Sequence, residues 1–214
     1  MTAAPPSAPA GQEPAVSALR RLVEGRRSIR RYQDRAIDSA VLEDLLTFAM
    51  WAPSAHNRQP WRFCVATQAD AKERLATTLG ARWRRDLETD GAAEQEIARR
   101  TAASYARITG APALIVAALD MDEMDAYPDE GRRRAEETMA VQSTALACQN
   151  LLLAAHAYGL GACWMCAPLF APDLVRQALD LPPAWQPQAL ITLGYPAEEK
   201  TSARAGMAGR VLWR

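Results

Sequence analysis

The sequence predicts a single α+β domain, and three observations lead there. Four short apolar stretches have strand character: Arg62–Thr67, Ala113–Leu119, Gly161–Met165 and Ala189–Tyr195. Between and around them lie segments with helical periodicity. Helices and strands do not alternate strictly, as a doubly wound α/β fold would require.

Taken in order, Met1–Pro14 is an Ala-, Pro- and Ser-rich stretch without apolar periodicity, and it predicts a disordered tail ahead of one domain over 15–214. Val16, Leu19, Leu22 and Val23 mark an amphipathic helix over Ala15–Glu24, ended by Gly25. Asp38 or Ser39 can cap a second helix carrying Val41, Leu42, Leu45, Leu46 and Ala49, which stops near Trp51 because Pro53 follows. Pro53–Pro60 is a loop with a proline at each end. Ala69 to about Thr109 is helical, with a break at Thr89-Asp90-Gly91 that could serve as a mobile wall. The Ala113–Leu119 run has no polar face and predicts a strand buried on both sides. An acidic turn over Asp120–Glu130 leads into a helix over Arg132–Ala157. That helix is apolar nearly all round from Met139 to Leu153, as a central or interface helix is. Pro172–Leu179 is a short helix, and the basic end Lys200–Arg214 finishes with Val211, Leu212 and Trp213.

Bulk numbers exclude several function classes. At 214 residues, 49% hydrophobic and 23% charged, the chain is of ordinary globular composition. A formal net charge of zero supplies no field for nucleic acid or anionic lipid. His156, Gly159, Gly161 and Pro168 interrupt the longest apolar region, so no membrane span is expected, and the N-terminus lacks a secretory pattern. These readings predict a cytoplasmic protein. Cys163-Trp-Met-Cys166 has redox-pair spacing but lies in an apolar run, which favours core packing. With two histidines and no second Cys pair, no metal site is expected. Neither G-x-G-x-x-G nor G-x-x-x-x-G-K-[ST] occurs.

The one local concentration of charge is Arg26-Arg27-Ser28-Ile29-Arg30-Arg31. Such a run is most often a solvated face. Here it follows a helix-ending glycine, and in an extended segment Arg26, Ser28 and Arg30 point the same way, a disposition suited to phosphate. Arg26–Tyr32, Ala52-Pro-Ser-Ala-His-Asn-Arg-Gln-Pro-Trp61, Gly159-Leu-Gly-Ala-Cys-Trp164 and Leu193-Gly-Tyr-Pro196, in this order and spacing, resemble the nitroreductase family.

That resemblance implies a central mixed or antiparallel sheet flanked by helices, an intertwined homodimer with shared active sites, and FMN in each interface pocket. By position it assigns Arg26, Arg27, Ser28 and Arg30 to the FMN phosphate and ribityl chain, with Arg204 and Lys200 closing from the C-terminal side. Pro53, Ser54, Ala55, His56 and Gln59 would come from the partner copy. Leu160 and Gly161 would bring backbone close to the flavin ring. Many members carry Glu-Gly beside flavin N5, whereas this chain has Ala167-Pro168-Leu169-Phe170. Pro168 has no N–H, which leaves Leu169 or Phe170 as the backbone donor. No catalytic side chain is required, since the flavin does the chemistry in ping-pong fashion with NAD(P)H or a reduced deazaflavin as donor. Ala81–Gly91, Ala126–Asp129 and Arg134–Met139 resemble the reductase half of the family branch that matures coenzyme F-420. A broad NAD(P)H-dependent nitroreductase or quinone reductase and a non-catalytic flavin-binding protein are the alternatives. His56 reads either as a loop residue or as a pocket residue, and His156 as structural. Trp51, Trp61 and Trp164 read as core, while Trp83 and Trp213 are candidates for a substrate wall.

Overall fold

A computed structural model describes residues 12–214. The expected tail over Met1–Pro14 falls outside the described residues as far as Gly11. Glu13 and Pro14 already belong to the first helix, where Pro is tolerated because the first-turn N–H groups have no helical partner.

The elements are α1 (Glu13–Gly25), α2 (Ser39–Met50), β1 (Trp61–Ala66), α3 (Ala69–Thr89), α4 (Glu94–Thr109), β2 (Ala113–Asp120), α5 (Glu130–Ala157), β3 (Gly161–Met165), α6 (Ala167–Phe170), α7 (Pro172–Ala178) and β4 (Trp185–Gly194). The strands form one antiparallel sheet in the order β1-β2-β4-β3. Every residue of β2 is buried. Its alternate residues serve opposite layers: Ala113, Ile115 and Ala117 pack in the core with α2 and α5, while Leu114 and Val116 pack in the core with α3 and α7. This is why β2 shows no polar alternation. β4 begins at Trp185, earlier than the expected Ala189, and Pro187 is accommodated where the β2–β4 register shifts between Ala117 and Ala118.

Asp38 caps α2, accepting from Ala40 N at 2.9 Å, and Asp129 caps α5, accepting from Arg132 N at 2.9 Å. The Thr89–Gly91 break is a tight hairpin between α3 and α4. Gly91 adopts φ 74°, Gly91 N donates to Glu88 O, and Ala92 N donates to Leu87 O. Arg84 bridges Glu88 on α3 and Glu94 on α4 across it. Trp61 is core as expected, but Trp51 is not. It ends α2 at 82% exposure beside the exposed Phe48 and Met50. No described helix is long and apolar enough to cross a membrane.

Candidate active site

The Arg26–Tyr32 segment is strapped along the edge of β3. Ser28 forms a parallel bridge with Ala162, and Ile29 N donates to Ala162 O at 3.0 Å. Further along, Gln33 N donates to Tyr195 O and Ala197 N to Arg31 O, so the chain after β4 closes over the same segment. Arg30 N donates to Glu198 Oε1 at 2.7 Å, which together with Lys200 and Arg31 holds the Glu198 carboxyl below its usual range. Tyr32 Oη lies 2.6 Å from Ile29 O and 2.7 Å from Thr192 Oγ1, pinning the segment to β4 from beneath. Burial drives the Tyr32 phenol far above its ordinary pKa, so this hydroxyl stays protonated as a structural donor.

This strapping extends the backbone and gathers cations from distant parts of the chain. Burial, then Arg204 and Arg27, lower the pKa of Arg26. Arg204 is exposed and donates to Ser202 Oγ and Ala203 O, and its charge adds to the positive field at Arg26. His156, at the C-terminal end of α5, abuts the same point: a Cβ on Gly25 would lie 2.7 Å from His156 Nε2. Burial, then Arg26 and Arg27, lower its pKa, so the residue read from sequence as structural also lies within the field of the basic cluster. Arg27 turns back, donating to Glu24 O at 2.5 Å and Arg26 O at 2.8 Å, with its Nε buried and unpartnered.

Arg30 opens onto a neighbouring cavity of about 540 Å³ lined by Arg31, Tyr32, Arg107, Glu198 and Lys200 among others. Lys200 pairs with Glu198 at 3.2 Å. Cys163 lies beneath both groups, its thiol raised by burial but opposed by Arg30, Arg107 and Arg26. Arg107 was missed by sequence reasoning. It is a lone charge near the end of α4, in Ser104-Tyr-Ala-Arg107-Ile-Thr109, and only the fold brings it to the cavity.

Leu160 is buried in the α2–α5 core, so its side chain is committed to packing. Gly161 lacks a side chain where a Cβ would come within 2.7 Å of Ile29 Cβ and Cγ2, so that space belongs to Ile29 and not to a ring. Leu169 N donates to Cys166 O at 3.0 Å, so its amide is already committed and it is not an available N5 donor. Phe170 is 70% exposed at the end of α6. Of the Cys pair, Cys163 is buried and Cys166 is exposed; both are thiols. Pro53, Ser54, Ala55, His56 and Gln59 form a loop against the middle of α5, where Ala55 N donates to Ser143 Oγ at 3.3 Å. His156 marks the cradle end of that helix. From Ser143 to His156 the axis advances about 20 Å at 1.5 Å per residue. One chain therefore does not bring the loop and the arginine cradle together.

The sequence and the fold both find counterparts in a known group. The Nitroreductase family model matches residues 23–195. The chain belongs to the nitroreductase family. An NADH dehydrogenase of Thermus thermophilus is 32% identical over 88% of this chain and 92% of its own length. A nitroreductase-type structure from Desulfovibrio desulfuricans, solved in complex with FMN, superposes with a TM-score of 0.69 at 30% identity, covering 94% of this chain and 96% of its own. A nitroreductase-like protein of Bacillus cereus shares the fold at a TM-score of 0.70 and 22% identity, covering 91% and 94%.

Proposed function

We propose that this nitroreductase-family chain is an FMN-dependent oxidoreductase using NAD(P)H, working as a homodimer whose two copies share each active site. The observation that carries the cofactor is the partly buried pair Arg26 and Arg27, the latter with a buried and unpartnered Nε, in a positive field to which Arg204 adds. Like charges held together at partly buried positions repel one another, and a phosphate dianion relieves that repulsion while accepting several charge-assisted hydrogen bonds. These residues therefore fit the phosphate of FMN. Arg26, Arg27, Ser28 and Arg204 would hold it, and Arg30, Arg107 and Lys200 would face the polar part of the molecule along the adjoining cavity. Bound FMN supplies the redox step, accepting a hydride from the reductant and passing it to a second substrate in turn.

Exposed apolar side chains support the dimer. None of the residues of α1 is buried, and Val16, Leu19 and Val23 face outward. Phe48, Met50 and Trp51 at the end of α2, Val141 and Leu146 on α5, and Leu212 and Trp213 near the C-terminus are exposed as well. A second copy would cover these faces and bring its Pro53–Gln59 loop to the cradle of the first.

The segments Ala81–Gly91, Ala126–Asp129 and Arg134–Met139 keep reduction of a dehydro precursor of coenzyme F-420 as the more specific reading. The test is anaerobic reduction of the purified protein by NADH, NADPH and reduced F-420 in parallel. The expected result is a yellow dimer that bleaches with a nicotinamide donor, recovers with a quinone or nitroaromatic, and gives parallel double-reciprocal lines. A colourless protein that takes up no FMN, or a yellow one that no donor bleaches, refutes the enzyme reading. Bleaching by reduced F-420 alone selects the deazaflavin branch.

A further inference from the structure

The loop between α2 and β1 carries an unusual backbone. His56, Asn57 and Gln59, all non-glycine, have positive φ values of 49°, 55° and 51°. Left-handed backbone is uncommon for such residues and persists where the surroundings over-determine it, most often at binding and catalytic sites. The side chains of residues 56–59 are all exposed, so burial of the loop itself does not impose the shape.

Its tethers do. Ser143 on α5 is 3% exposed; its hydroxyl accepts from Ala55 N at 3.3 Å and donates to Met139 O at 2.7 Å. Ser54 Oγ accepts from Gln59 N at 3.1 Å, closing the loop on itself. Arg58 pairs with Asp125, whose own N–H donates to Glu136 Oε2 at 3.4 Å, and Glu136 is buried on α5. The loop is thus fastened to one rigid helix at two separate points, directly through Ser143 and through Asp125 and Glu136. A buried hydroxyl spent on a surface loop adds nothing to the apolar packing around it. It specifies the loop's shape.

The geometry points to Ser143 and Asp125 as positioning residues that hold the left-handed Ser54–Gln59 loop in the form in which it meets the flavin of a second copy. This deepens the shared-site reading and rests on it. Neither residue touches the cofactor; both act through the loop backbone.

The experiment uses the full-length holoprotein with Ser143→Ala, Asp125→Asn and the double variant. Ser143→Ala favours the helix intrinsically, so α5 is retained. The readouts are the FMN dissociation constant, the visible flavin band shape, and the thermal midpoint of the FMN-free protein. Lys72→Ala is the control. It removes a 2.8 Å bond to Ala111 O on the α3 side of the sheet, remote from the loop. Each single loop variant should raise the FMN dissociation constant about fivefold and shift the flavin band, as loss of one hydrogen bond does. The double variant should fall short of the product of the two, because both act on one loop. Lys72→Ala should lower the midpoint and leave flavin affinity and spectrum unchanged. Dissociation constants within twofold of the parent, with unaltered spectra, overturn the positioning role while a yellow parent keeps the FMN reading. A parent that binds no FMN overturns both.

Discussion

Arg26 works because of what stands around it. A lone exposed arginine spends little on desolvation and gains little from any one anion. Burial, then the positive charges of Arg204 and Arg27, disfavour the charged form of Arg26, a cost that a bound phosphate would offset. Arg26→Ala and Arg204→Ala should each weaken FMN binding by about 1.5–3 kcal/mol, the value of a hydrogen bond to a charged group. Fluorescence titration of the apoprotein measures this, and constants within twofold of the parent would contradict the assignment. Gly161 illustrates the opposite lesson. Its missing side chain looks like room for a ligand in the sequence, yet the structure fills that room with Ile29.

Among the elements, α2 and α5 carry the loop that the proposed shared site would use. α2 opens on Asp38, whose carboxylate accepts from Ala40 N, and closes at Trp51 ahead of Pro53. Its start therefore depends on one side chain. Asp38→Ala should cost about 0.5–2 kcal/mol, and Asp38→Asn should largely restore it. The check is the urea midpoint at neutral pH; no change on Asp38→Ala would show that the cap is dispensable. The short α6 was not expected from sequence. Four residues between β3 and α7 are too few for a periodic signal, and Pro168 hides a turn that the hydrogen bond from Leu169 N to Cys166 O reveals.

For the whole molecule, the cradle couples stability to pH through His156. Burial and the neighbouring arginines depress its pKa below the ordinary 6.5, so the folded chain binds this proton less readily than the unfolded chain. The sign follows directly: stability is full above about pH 6.5 and declines as pH falls below it, until the depressed pKa is passed. The urea midpoint of the FMN-free protein should drop between pH 7.5 and 5.5, and His156→Gln should flatten that slope. An equally steep slope in the variant would place its origin elsewhere. The carboxylates with lowered pKa values, Glu96 down to about 2 among them, titrate below this window and do not mask it.

Much of the architecture could be read directly. Strand and helix positions follow from apolar periodicity, proline placement and capping residues, all properties of near neighbours in the chain. Arg26, Ser28 and Arg30 were visible for the same reason, because a dense basic run and a helix-ending glycine share one short segment. Arg107, Glu198 and His156 were not visible as neighbours of that basic run, since each sits in an ordinary-looking neighbourhood. Only the folding of α4, α5 and the chain after β4 around the β3 strap makes them neighbours. Local propensity and patterning determined the elements. Long-range packing decided which charges meet, because Coulomb forces depend on distance in space and the sequence records only order along the chain.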